Sequence, residues 1–191
     1  MDEFDISLDW VGFELHPETP RGGMQITDLF PAARVDAMRG HLREAAARMS
    51  VKMGEPTRIP NSRRALALAE QARAHGNLQA ARNAAMDAHW LEGKDIESDE
   101  TLAEIARTAG LDPATAVAAC DAPEWQARVD AMRIEASRWG VTGIPTFFFL
   151  PEGWTVEGSG SWSGAPPLRV VGCQPLPTLR EVVRKVGAQP R

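Results

Sequence analysis

The chain has few of the residues that usually announce a chemistry. It holds two cysteines, Cys120 and Cys173, which lie far apart and form no CxxC or zinc-type cluster. Its four histidines, His16, His41, His75 and His89, share no metal-ligand spacing with each other or with the cysteines, so no metal centre is expected. No apolar run is long enough to span a bilayer, and the acidic start MDEFDISLDW contains no long apolar core of a secretory signal. Nor is there an excess of basic residues. The net charge is −5 and the pI about 5.4, with Lys and Arg dispersed among acids, which argues against nucleic-acid or anionic-membrane surfaces. The pair Arg63–Arg64 reads as a solvated helix face. The carboxylates offer no convincing pair for acid–base work. These absences place the chain in the cytoplasm with both thiols reduced.

What is present suffices for a core. The 191 residues are 43% apolar, which fits one domain or one domain with a large insertion. Ile6–Leu15 alternates in part and shifts phase at Val11, predicting a strand that is bulged or buried on both faces near its end. The prolines and glycines that follow end it. Val35, Met38, Leu42, Ala45 and Met49 recur at helical spacing and predict one apolar stripe, closed by Gly54 and Pro56. Asn61 is placed to cap a helix running to Ala74, with Gly76 as its stop. Further helices are expected over Leu78–Glu92, from Ser98 to Ala109, from the Asp112–Pro113 start, and from an Asp121/Glu124 capping box to Trp139. Cys120, in AVAAC, reads as a core thiol.

After Gly140 the pattern changes. Thr146–Leu150 is a short aromatic run suited to a strand covered on both faces. Pro151–Pro167 reads as an extended hairpin connection, with Trp154 and Trp162 packed against the domain. Leu168–Val171 follows as a strand and Pro175–Val186 as a terminal helix. Strand, helical block, strand, strand, helix is the order of an α/β domain with a helical insertion.

GVTGIPTFFFL at Gly140–Leu150 resembles the cis-proline loop and core strand of DsbA-like thioredoxin-fold proteins. FELHPETP at Phe13–Pro20, PNSRRALALAEQARAHG at Pro60–Gly76, EGKDIESDETLAEIARTAGLDP at Glu92–Pro113 and VVGCQPLPTL at Val170–Leu179 resemble successive parts of the FrnE-like branch of that family. The resemblance spans nearly the whole chain, in order. It implies an incomplete thioredoxin-like domain at 1–29 and 140–191, and a helical insertion domain at 30–139. It further implies a thiol–disulfide oxidoreductase or isomerase whose substrate is a protein or peptide thiol or disulfide. Thr142, Gly143, Ile144 and Pro145 would hold that substrate. Cys173, in the loop after the last strand, is the candidate catalytic thiol, although a small turn residue serves there equally well. His16 stands where the family carries asparagine, and Asn61 keeps a second reading as a functional residue.

The departure from the family pattern lies at the start. Its members open with a strand and a CxxC helix, and neither is in this chain. The expectation is an N-terminally truncated record with the dithiol upstream; a fragment, or a strand supplied by a partner, are the alternatives. Absence of a central strand would leave unsatisfied sheet edges, through which a homodimer could form. Two other readings remain open. One is a relative of 2-hydroxychromene-2-carboxylate isomerase, with a serine in place of CxxC and glutathione as co-substrate. The other is a redox-inactive module that binds a peptide or partner.

Overall fold

The computed structural model describes residues 3–151 and 167–191. The expected hairpin and its tryptophans Trp154 and Trp162 lie outside the described residues, apart from the terminal prolines. The chain forms two compact units, one of Met1–Leu15 with Glu135–Arg191 and one of His16–Ile134.

The His16–Ile134 unit is helical. A short antiparallel pair, β1 (Met24–Gln25) and β2 (Arg58–Ile59), brackets α1 (Ile26–Leu29) and α2 (Ala32–Arg48). Then come α3 (Arg63–Ala74), α4 (Leu78–Trp90), α5 (Asp99–Thr108), α6 (Pro113–Ala119) and α7 (Pro123–Arg138), whose last turn belongs to the other unit. Helix α3 is the hub. Its Leu68 and Ala72 pack with Ala81 of α4, with Leu102, Ile105 and Ala106 of α5, and with Ala116 and Cys120 at α6. Ala67, on the same helix, packs with Val129 and Met132 of α7. Small residues on α3 let four helices approach it, and each fully buried Leu contributes about 2 kcal/mol by leaving water.

Local signals set most of these boundaries. Ser98 Oγ accepts the Thr101 N–H at 3.2 Å and caps α5. Asp112 accepts the Thr115 N–H at 2.9 Å and caps α6, with Pro113 in the first turn. Asn61 caps the start of α3, although the helix is counted from Arg63, for Ser62 is already helical and makes no cap bond. Asn61 Oδ1 accepts the Arg63 N–H at 3.0 Å and its Nδ2 donates to the Thr19 carbonyl at 2.8 Å, tying two loops together. Asp121 does not head α7, because its carboxylate pairs with Arg21 and Arg64. The apolar stripe on α2 does form one helix face, and of its five residues only Val35 is buried.

The other unit holds β3 (Thr146–Phe149) and β4 (Leu168–Val171), antiparallel and in register Thr146↔Val171 through Phe149↔Leu168, followed by α8 (Leu176–Lys185). The strand expected at Ile6–Leu15 is not formed. Its alternation is a local pattern, whereas a strand exists only where a neighbour accepts its backbone hydrogen bonds, and no described strand lies against it. The N-terminal segment instead touches the C-terminus. Phe4 bridges Pro190, Asp5 N–H donates to Gln189 C=O at 2.9 Å, and Arg180 pairs with Glu3.

Candidate functional site

The site is built where α7 ends and β3 begins. Gly140 stops the helix at φ +66°, a conformation that suits glycine, and its carbonyl accepts from Arg169 Nη1 at 3.0 Å. That bond fastens the helix end to β4. Trp139, the last aromatic of the helix, packs edge-on against Phe148 with ring centroids 4.9 Å apart. Phe147 and Phe149 project from the opposite face of β3, 6.4 Å apart. All four residues of β3 are half-buried, so the aromatic run is covered in part on both faces.

Between helix and strand, Thr142–Pro145 turns the chain. Thr146 Oγ1 donates to the Gly143 carbonyl at 2.7 Å, and the Ile144–Pro145 bond is cis. Proline suits the position before a strand because it has no N–H to leave unpaired. Its carbonyl is used, accepting the Gly172 N–H at 2.8 Å. This bond extends the β3–β4 ladder by one step and draws the loop after β4 against the proline loop. Cys173 follows directly and is exposed, and Gln174 Nε2 closes the loop onto Val171 C=O at 2.9 Å. Ile144 is 53% exposed, and among the described residues neither its N–H nor its C=O makes a backbone hydrogen bond. The structure thus brings together Thr142, Gly143, Ile144, Pro145 and Cys173. It presents one exposed backbone position, Ile144, that makes no backbone hydrogen bond, and one accessible thiol.

The other residues singled out by sequence lie elsewhere and are differently occupied. Cys120 is fully buried, its thiol donating to Ala116 C=O at 3.2 Å, and burial pushes it up to about 11, so it carries no thiolate at neutral pH. His16 Nδ1 lies 3.1 Å from Glu18, and His75 Nδ1 lies 2.9 Å from Gln71 C=O. Burial lowers His89, with Asp95 opposing the shift. Among the described residues no group of three or more His, Cys, Asp or Glu could hold a metal ion, and no helix is long and apolar enough to cross a membrane.

One cluster escaped the sequence reading. Arg64, expected on a solvated face, has a side chain only 13% exposed, and it holds Glu97 C=O at 2.6 Å, Asp99 at 2.7 Å and Asp121 at 3.1 Å. Glu97, itself buried, accepts the Gly22 N–H at 2.7 Å. The cluster clamps the loop after FELHPETP to α3 and α5. No local signal marks it, because α3 carries Arg63, Glu70, Gln71 and Arg73 besides Arg64 and so looks as polar as a solvated helix.

A cis-proline loop ahead of an aromatic strand, in a chain that also carries a helical unit, is compatible with a thioredoxin-like domain. Residues 2–184 match the family of the DSBA-like thioredoxin domain, and the chain belongs to that family. Its fold is similar to that of a probable DsbA oxidoreductase from Streptomyces coelicolor, at 21% identity and a TM-score of 0.74, covering 92% of this chain and 73% of that one. No curated protein matches it significantly.

Proposed function

We propose that this chain supplies the substrate-side wall of a thiol–disulfide oxidoreductase or isomerase of the FrnE-like type, working on protein or peptide disulfides in the cytoplasm. The hydrogen bond from Gly172 N–H to Pro145 C=O carries the reading. It holds an exposed residue, Ile144, whose backbone makes no backbone hydrogen bond, beside the loop of an exposed thiol, Cys173. An extended peptide pairing with the Ile144 backbone would gain main-chain hydrogen bonds and be fixed in register. In the exchange a thiolate attacks one sulfur of the substrate disulfide. A mixed disulfide forms, the old S–S bond breaks, and the other sulfur leaves as thiolate. Completing the cycle takes a second thiol. Cys120 is too deeply buried to serve, and in this reading the family's dithiol is supplied from outside these 191 residues.

The test is insulin-disulfide reduction with dithiothreitol as terminal reductant. It is run on the 191-residue chain and on the chain extended by the genomic residues that precede Met1. Turnover by the extended protein alone, reduced at least tenfold when Ile144 is replaced by proline to remove its N–H, supports the reading. Full activity in that variant overturns the role of Ile144. A second reading, a redox-inactive peptide-binding module, draws support from the absence of any CxxC in the 191 residues. It predicts peptide binding at the same loop without turnover in either protein.

A further inference from the structure

Helix α2 runs for 17 residues, yet only Val35 and Ala46 are buried. A helix of that length is marginal in water without an apolar face packed on something. Here the face exists and is open. Met38 is 37% exposed, Leu42 44% and Met49 62%. With Val35 and Ala45 these residues occupy the alternating three- and four-residue spacing of a helix–helix seam over two heptads. The seam is narrow, lacks aromatics, and so fits a second helix better than the broad aromatic-bearing face that seats in a lipid surface.

The flank of the seam is charged with one sign. Arg34, His41 and Arg48 follow one another at intervals of seven residues, forming a straight basic row along it. The helix carries four arginines against Asp36 and Glu44 in a chain of net charge −5. Arg43, off the row, is paired with Glu55 at 2.8 Å, but the arginines that flank the seam are not neutralised in the same way. Arg34 lies over the Phe30 ring at 4.9 Å, Arg39 buries an Nε that finds no hydrogen-bond partner, and neither arginine makes an ion pair among the described residues. Arg48 meets Glu44 only at 3.9 Å, with both side chains exposed. Two copies joined antiparallel through this seam would set the basic row against itself, and joined parallel would set Arg34 beside the other copy's Arg39. Self-pairing is therefore disfavoured, and carboxylates are what the row would attract.

We infer that the Met38–Leu42–Met49 face of α2 is a docking surface for an acidic amphipathic helix of a partner polypeptide, seated by apolar contact and oriented by carboxylates along Arg34, His41 and Arg48. The inference is independent of the thiol chemistry. It is tested on the full chain with two labelled 21-residue peptides of three heptads, each with Leu at the seam positions, flanked by Glu in one and by Lys in the other. Fluorescence anisotropy should show the Glu peptide binding at least tenfold more tightly than the Lys peptide. The pair Met38→Gln/Leu42→Gln should weaken it at least tenfold with an unchanged thermal melt, and Arg34→Glu/Arg48→Glu should invert the preference. Equal affinity for both peptides, or no binding of the Glu peptide, overturns the inference. So does a dimer, seen by light scattering, that Leu42→Gln dissolves, or binding to phosphatidylserine vesicles that the same variant abolishes.

Discussion

Cys120 offers a measurement in which burial is read out as pH dependence. Its thiol is held at about 11 in the folded chain against an ordinary 9.0, because burial penalises the thiolate, with the nearby Arg64 charge and the Gln71 amide only partly offsetting it. A group raised on folding stabilises the fold below its unfolded pKa and loses that contribution as pH rises through the folded value. Over the window from 9.0 to about 11 the unfolded chain binds fewer protons, so stability falls with rising pH, by about 3 kcal/mol in all. At pH 10.5 the loss is already about 2 kcal/mol. Other groups titrate in the same range, so the difference between wild type and Cys120→Ala isolates the thiol. At pH 7 the alanine variant should be less stable by about 1–2 kcal/mol, for the sulfur it removes leaves a small void. By pH 10.5 that gap should close or reverse. Urea unfolding followed by tryptophan fluorescence, run on both proteins at pH 7, 8.5, 9.5 and 10.5, measures the difference. Parallel stability curves for the two proteins across that range would refute the assignment of a buried neutral thiol.

Titration with a disulfide reagent at pH 8 should modify one thiol in the native chain, lost in Cys173→Ser and kept in Cys120→Ser, and two in denaturant. Gly23→Ala should cost about 2–3 kcal/mol, since φ is +67° and the added Cβ would stand 2.6 Å from Ile59 C=O; thermal melts check it. Glu70 is buried and accepts from Arg73 Nε at 2.9 Å and Arg128 Nε at 3.1 Å, so Glu70→Ala should cost about 2–3 kcal/mol by leaving the two guanidiniums without their shared acceptor. Ser98→Ala removes the α5 cap and should cost about 1 kcal/mol, read from urea midpoints at constant slope.

Punctuation was legible without any structure. Gly76, Gly110 and Gly140 mark helix ends, and Ser98 and Asp112 mark helix starts, because each acts on backbone groups within four residues of itself. The aromatic run Thr146–Phe149 and the proline ahead of it likewise announced a strand entry and so the location of the candidate site. Features that depend on distant partners were not legible. The alternation at Ile6–Leu15 suggested a strand that has no described neighbour to pair with. Arg64 looked like a solvated charge until the carboxylates of Asp99 and Asp121 came beside it from other elements. Cys173 could be set beside the proline loop only through the family resemblance, since nothing local to a lone thiol encodes its neighbours. Sequence by itself determined the helical insertion, the α/β order and the place of the proline loop, because periodicity and caps are local physics. Tertiary structure alone decided that Gly172 bonds to Pro145, that Arg64 is enclosed by carboxylates from other elements, and that the stripe on α2 is left open. Each of those depends on which segment covers which, and no local pattern encodes that.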